Sequence, residues 1–198
     1  SDRVGISTEV PSTISKLNIP DIPKGTINPT TLGMVLGALI PENAIVVDES
    51  VTTGREFFYQ TAGSHPHTWL NNCGGSIGFG MPVAIGAAIS CPDRKVISLE
   101  GDGSAMYTVQ SLWTMARENL DIVVLIFANQ SYKILQGELT NVGVVNPGKS
   151  AMEMLSLQDP SLDWVSLSKG MGVDAVRVDN LEDLVKNFKN GLKMSGPY

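Results

Sequence analysis

Residues 96–104, VISLEGDGS, contain an apolar run that stops at a glycine and a carboxylate, Asp102. A second apolar run, residues 122–128, stops at a carboxamide, Asn129. Both runs are typical of buried parallel strands. The segment between them, residues 105–118, is predicted to be a helix. Residues 96–128 are therefore predicted to form a strand-helix-strand unit.

The two polar side chains should meet, because a strand-helix-strand unit brings the carboxyl ends of its strands to one edge. One anionic and one neutral oxygen, with nearby backbone carbonyls, suit a hard divalent ion such as Mg²⁺. Gly101 and Gly103 would let backbone N–H groups approach a phosphate at the helix start. The plain alternative is that Asp102 and Asn129 are two polar caps at strand ends.

The same alternation extends outward in both directions and predicts an α/β fold, a doubly wound, mostly parallel sheet with helices on both faces. The predicted strands are residues 44–48, 68–70, 96–100, 122–128 and 173–178. The predicted helices are residues 30–39, 52–61, 81–90, 105–118, 162–169 and 180–193. Residues 74–80 form a glycine-rich loop, and residues 130–160 are expected to be a loop region.

Composition excludes several classes of function. The chain has 198 residues, is 42% hydrophobic and 17% charged, and carries a net charge of -6. This acidity, without a basic cluster, argues against nucleic-acid binding. No apolar stretch reaches the ~20 residues that a membrane span needs. Two cysteines, Cys73 and Cys91, are too few for a disulfide framework, so we expect a reducing, cytoplasmic setting.

Domain organisation follows from the prolines near the start. Residues 1–27 contain Pro11, Pro20 and Pro23 and are predicted to be a linker or the tail of a preceding domain. Residues 28–198 are predicted to be one cofactor-binding domain, truncated before its last strand.

Three features together resemble a known family: GDGS at residues 101–104, the spaced Asn129, and GGSIGFGMPVAIGAA at residues 74–88. They are similar to the diphosphate-binding domain of thiamine diphosphate-dependent enzymes, within the benzoylformate decarboxylase and acetolactate synthase group. The resemblance runs from about Asn28 to the end of the chain. It implies thiamine diphosphate and Mg²⁺ as cofactors, and a parent enzyme that decarboxylates or ligates 2-oxo acids.

The resemblance also implies roles for single residues. Asp102 and Asn129 would bind Mg²⁺ through their side chains, and Ser131 through its backbone carbonyl. The diphosphate would be contacted by Gly101, Gly103, Ser104, Ser50 and Thr52. Ile77 would wedge the cofactor into a bent shape, the Gly75 carbonyl would accept from its amino group, and Tyr132 would lie over the diphosphate end.

Simpler roles stay open for several of these residues. Ser50 and Thr52 could cap the next helix, and Ile77 could be an ordinary core residue. The glycine loop could be a tight turn that allows close helix packing. Cys73, just before that loop, is expected to be a buried structural thiol.

Two departures from the family pattern shape the functional prediction. The usual pair of asparagines is Ala128-Asn129 here, and the remaining Asn is taken as the metal ligand. The glutamate that activates the cofactor belongs in this family to a separate pyrimidine-binding domain, usually from a partner subunit. No catalytic residue is therefore assigned in this chain, and the isolated chain is expected to be inactive.

The parent is expected to be a homodimer or homotetramer. The competing function is a non-catalytic cofactor-binding or assembly module of the same fold.

Overall fold

The computed structural model describes residues 15–198, and within them four strands form one parallel sheet. The strands are β1 (Ile45–Glu49), β2 (Thr68–Asn71), β3 (Val96–Gly101) and β4 (Ile122–Phe127). The order across the sheet is β2-β1-β3-β4. The chain reverses its direction of strand addition between β1 and β3, which makes the carboxyl ends of these two strands the topological switch point.

Helices cover both faces, as the doubly wound prediction requires. They are α1 (Pro29–Leu39), α2 (Phe57–Gln60), α3 (Gly80–Ser90), α4 (Asp102–Ala105), α5 (Ser111–Arg117), α6 (Lys133–Asn141), α7 (Lys149–Met154), α8 (Trp164–Gly170) and α9 (Leu181–Lys193). One apolar cluster joins α1, α2 and α9 to the sheet, and the other joins α3 and α5 to the opposite face. The predicted fold class is confirmed.

Local sequence explains where the best-predicted helices begin. Asn28 caps α1, its side chain accepts from the Thr31 N–H at 3.0 Å, and Pro29 occupies the first turn. Asn180 caps α9 in the same way, accepting from the Asp183 N–H at 2.8 Å. Both starts were predicted from the sequence and are confirmed.

The helices predicted next to the site are shorter than expected. The helix predicted over residues 52–61 forms only at α2, because the β-branched run Val51-Thr52-Thr53 makes turns and Val51 takes a φ of 48°. The helix predicted over residues 105–118 is replaced by α4, a 3₁₀ turn (Met106–Thr108) and α5. The loop predicted over residues 130–160 contains α6 and α7 instead.

The strand predicted over residues 173–178 is wrong. Across residues 15–198 this segment pairs with no strand, and a cleft of about 670 Å³ separates it from β4. Tyr198 pairs with the edge of β4 instead, donating to the Ile122 carbonyl at 3.0 Å and accepting from the Val124 N–H at 2.8 Å. That the domain continues into a last strand stays a prediction.

Residues 15–27 have no helix or strand, but two points tie them to the domain. The Asn18 N–H donates to the Gly63 carbonyl at 2.8 Å, and the Gly25 carbonyl accepts from the Leu181 N–H at 3.0 Å. The rest of the predicted linker, residues 1–14, lies outside the described residues. No helix within residues 15–198 is both long and apolar enough to cross a membrane.

Candidate cofactor site

Asp102 joins the carboxyl ends of β3 and β4. Its side chain is 2% exposed and accepts from the Gln130 N–H at 2.6 Å and from the Gly103 N–H at 3.0 Å. Burial raises the pKa of this carboxyl, while the hydrogen bonds from Gln130 and Gly103 oppose that rise. Asp102 and the Asn129-Gln130 turn therefore lie together at the sheet edge, as the strand-helix-strand unit predicts.

The loop after β4 turns back on itself at Asn129. The Asn129 side-chain oxygen accepts from the Ser131 N–H at 2.9 Å, and the Ser131 carbonyl accepts from the Lys133 N–H at 2.9 Å. The Ser131 hydroxyl donates to the Leu155 carbonyl at 3.1 Å, which anchors the loop to the end of α7. A carbonyl oxygen has two lone pairs, so both oxygens can still bind a cation.

The candidate donors suit a hard divalent ion such as Mg²⁺. A carboxylate, a carboxamide and a backbone carbonyl are hard oxygen ligands. No three His, Cys, Asp or Glu side chains within residues 15–198 are grouped so that they could hold a metal, so amide and carbonyl oxygens would have to complete the ligand set. The oxygens of Asp102, Asn129 and Ser131 would hold the ion, and the diphosphate would supply further oxygens. These assignments stay predictions.

Glycine at position 103 leaves room for the neighbouring Tyr132 ring. A Cβ there would lie 2.6 Å from Cε1 and 2.8 Å from Cδ1 of Tyr132. The Tyr132 ring thus covers the first turn of α4, where the resemblance places the diphosphate. Ser104, in the same turn, is buried, and Gly101 lies against the Glu49 and Ser50 carbonyls.

Ser50 and Thr52 occupy different environments. Ser50 is 2% exposed, and its hydroxyl donates to Asp48 Oδ1 at 2.5 Å, so its proton is already committed. Burial raises the pKa of Asp48, and the hydrogen bonds from Ser50 oppose that rise. Thr52 instead lines an open cleft. Neither residue caps a helix, because the residue preceding α2 is Glu56.

That cleft has a volume of about 710 Å³ and brings Thr52, Asn129 and Ser131 to one surface. It is also lined by Lys133 and Lys149. Sequence reasoning missed both lysines, because α6 and α7 lie in a segment that was predicted to be a loop. The sequence signal that could have identified Lys133 is its position two residues after Ser131, a predicted metal ligand. Gly75 and Ile77 do not line this cleft.

The glycine loop, residues 74–80, contributes no residue to that cleft. Gly74 and Gly75 take φ values of 73° and 67°, and a Cβ at either position would meet no atom within 4 Å. Ile77 is 40% exposed, so it is not a core residue. Cys73 is exposed, and the expectation of a buried thiol is wrong. The loop therefore presents open backbone and one apolar side chain to solvent.

Two buried glutamates beneath this loop were not assigned a role from the sequence. Glu49 accepts from the Gly78 N–H at 2.6 Å and from the Gly80 N–H at 2.5 Å. Glu100 accepts from the Ser98 hydroxyl at 2.5 Å. Burial raises the pKa of Glu100 well above its usual range. The hydrogen bond from Ser98 lowers this pKa, and the nearby Glu49 raises it further.

Comparison with known proteins is consistent with this geometry. The family described as "Thiamine pyrophosphate enzyme, C-terminal TPP binding domain" matches residues 53–198. A Mycobacterium tuberculosis protein, provisionally named acetolactate synthase large subunit IlvX, is 43% identical over 100% of this chain and 38% of its own length. Benzoylformate decarboxylase of Pseudomonas aeruginosa is 33% identical over 87% of this chain and 31% of its own length.

A solved structure of a thiamine diphosphate-dependent enzyme is also similar to this chain. The thiamine diphosphate-dependent 4-hydroxybenzoylformate decarboxylase of Rhodococcus jostii RHA1 superposes with a TM-score of 0.79 at 31% identity, over 96% of this chain and 35% of that one. The chain thus spans roughly a third of the length of these relatives.

Proposed function

We propose that this chain, which belongs to the thiamine pyrophosphate (thiamine diphosphate) enzymes as their C-terminal TPP-binding domain, anchors the cofactor's diphosphate through Mg²⁺ at the carboxyl ends of β3 and β4, next to the switch point of its sheet. The observation that carries the proposal is the bond from the Gln130 N–H to Asp102 at 2.6 Å. It joins the carboxylate to the turn that bears the carboxamide, so hard oxygen donors lie at one edge of the sheet, which supports a site for a metal-bound anion.

Different residues of the chain would bind the metal ion and the diphosphate. Asp102, Asn129 and the Ser131 carbonyl would hold the ion, whose charge offsets that of the diphosphate. The backbone N–H of Ser104 would face the phosphate oxygens, since that of Gly103 already donates to Asp102, and Gly103 would give the diphosphate room to approach while Tyr132 excludes water. Thr52, which lines the same cleft as Asn129 and Ser131, would donate its hydroxyl. Lys133 would add positive charge, which an acidic protein needs locally to hold an anion.

The parent reaction that we propose is decarboxylation or ligation of a 2-oxo acid. Its support is the activities for which the relatives are named, a benzoylformate decarboxylase and an acetolactate synthase among them. When bound, thiamine diphosphate supplies a carbon nucleophile and a sink for the electron pair that decarboxylation leaves. This chain's part is to bind and orient it, with Ile77 and the Gly75 carbonyl facing the ring portion.

The partner that we propose is a pyrimidine-binding domain, contributed by a second subunit of a homodimer or homotetramer. Support comes from the relatives, of which this chain spans about a third, and from the open glycine loop. A domain that covered Gly74, Gly75 and Ile77 would complete the cofactor's surroundings.

The test is calorimetric titration of the 198-residue chain with thiamine diphosphate, with Mg²⁺ and with EDTA. We expect saturable binding that needs Mg²⁺ and is lost in Asp102→Asn, which keeps the size of the side chain but removes its charge. Asp93→Asn, an exposed carboxylate given the same change, should bind like the unaltered chain. Binding that ignores both EDTA and Asp102→Asn would refute the proposal.

A further inference from the structure

Glu49 is a buried carboxylate without a cationic partner. Its side chain is 1% exposed, and none of the ion pairs found in residues 15–198 includes it. Burying such a charge is costly unless hydrogen bonds replace the lost water. Here each carboxylate oxygen accepts one backbone N–H, from Gly78 at 2.6 Å and from Gly80 at 2.5 Å. Both bonds cross from the end of β1 to the glycine loop.

The two N–H groups flank the start of α3, an 11-residue helix. Free N–H groups and the helix dipole favour an anion at this position. Glu49 therefore fixes the junction between loop and helix with two charge-assisted hydrogen bonds, the stronger kind in proteins.

The other contacts at this junction leave the loop little freedom. Gly78 takes a φ of 88°, and its carbonyl accepts from the Thr108 hydroxyl at 3.1 Å. A Cβ at Gly80 would lie 2.2 Å from Glu100 Oε1, so Gly80 is pressed against a second buried carboxyl. Ile77 is the residue just before this clamped segment, and its side chain is 40% exposed.

We propose that Glu49 is a positioning residue: its carboxylate holds the Gly78-to-Gly80 junction so that Ile77 and Gly75 present a fixed surface to the ring half of thiamine diphosphate. This inference rests on the proposed function and assigns Glu49 a task that the diphosphate-holding residues do not share. Asp102, Asn129 and Ser131 belong to the β3 and β4 ends, and Glu49 acts through the glycine loop. Loss of Glu49 should therefore weaken recognition of the ring portion and leave recognition of the diphosphate unchanged.

The experiment compares two ligands, thiamine diphosphate with Mg²⁺ and inorganic pyrophosphate with Mg²⁺, by calorimetry on the 198-residue chain. Glu49→Gln keeps the size of the side chain but turns one acceptor into a donor that faces an N–H group. We expect thiamine diphosphate to bind about tenfold more weakly, the scale of one lost charge-assisted hydrogen bond. Pyrophosphate should bind as in the unaltered chain. Glu56→Gln, the same change at an exposed site, should alter neither affinity.

Ile77→Ala provides a second variant, because truncating an exposed side chain spares the fold even if Glu49→Gln destabilises it. It should show the same division, with weaker thiamine diphosphate binding and unchanged pyrophosphate binding. Amide exchange at Gly78 and Gly80 should quicken in Glu49→Gln and stay slow in Ile77→Ala.

Three results would overturn the inference. Equal losses for both ligands in Glu49→Gln would give Glu49 a general structural role. Unchanged thiamine diphosphate affinity in either Glu49→Gln or Ile77→Ala would remove the link to the ring. A failure of the unaltered chain to bind either ligand would refute the proposed function as well, which separates that outcome from the first two.

Discussion

Replacing Gly103 with alanine tests the space that the site requires above the first turn of α4. The added Cβ would lie 2.6 Å from Cε1 of Tyr132, whereas ordinary contact begins at 3.4 Å. The ring must therefore move by about 0.8 Å. Crowding of this kind costs ~1–3 kcal/mol, and the gain from alanine over glycine in a helix returns ~0.5–1 kcal/mol. Because Tyr132 is only half-buried and can turn, we expect a net loss near ~1 kcal/mol of unfolding free energy.

A matched variant separates crowding from helix propensity. Gly86 lies within α3, and a Cβ there would meet no atom within 4 Å. Gly86→Ala should therefore raise the unfolding free energy by ~0.5–1 kcal/mol. Urea denaturation measures both changes, which should have opposite signs. Gly103→Ala should also weaken Mg²⁺-dependent binding of thiamine diphosphate by about tenfold, which corresponds to ~1.4 kcal/mol. Stabilisation by Gly103→Ala equal to that by Gly86→Ala, with unchanged binding, would refute this account of the site.

Three further predictions concern charge and activity. Burial raises the pKa of Glu100 above its ordinary value of 4.5. The stability that this group contributes is therefore fully present below pH 4.5 and is lost as pH rises through the raised pKa. Glu100→Gln should raise Tm more at pH 8 than at pH 4, and equal Tm changes would contradict this. Lys133→Gln should weaken thiamine diphosphate binding a few-fold at low salt and less at high salt, as expected for a screened surface charge; a salt-independent loss would point to a packing role. The 198-residue chain should release no CO₂ from 2-oxo acids, because no catalytic residue is assigned in it and we expect the activating glutamate on a separate domain; measurable release would refute that.

The sequence predicted the parts of the fold that depend on local pattern. Residues close together in the chain predict the capped starts of α1 and α9 and the apolar runs of β3 and β4. They also predict the parallel pairing of β3 with β4, which joins Asp102 to the turn after β4. Such signals suffice because strand type and helix caps are set by neighbouring residues.

What the sequence did not predict depends on distant partners. Residues 173–178 have the composition of a strand, but a strand forms only where another strand pairs with it, and a cleft separates this segment from β4. Glu49 contacts an N–H group 31 residues away, and no local pattern shows that bond. Lys133 enters the site only because α6 forms. The three cases share one cause, which is tertiary context overriding local propensity.

The central claim is that oxygens from two neighbouring strand ends hold a metal-bound diphosphate. Its most direct test is a crystal structure of the chain grown with thiamine diphosphate and MgCl₂. We expect one Mg²⁺ at about 2.1 Å from a carboxylate oxygen of Asp102, the side-chain oxygen of Asn129 and the carbonyl oxygen of Ser131, with phosphate oxygens completing an octahedron. A diphosphate held by Lys133 and Lys149 without a metal, or an ion bound to other carboxylates, would contradict it.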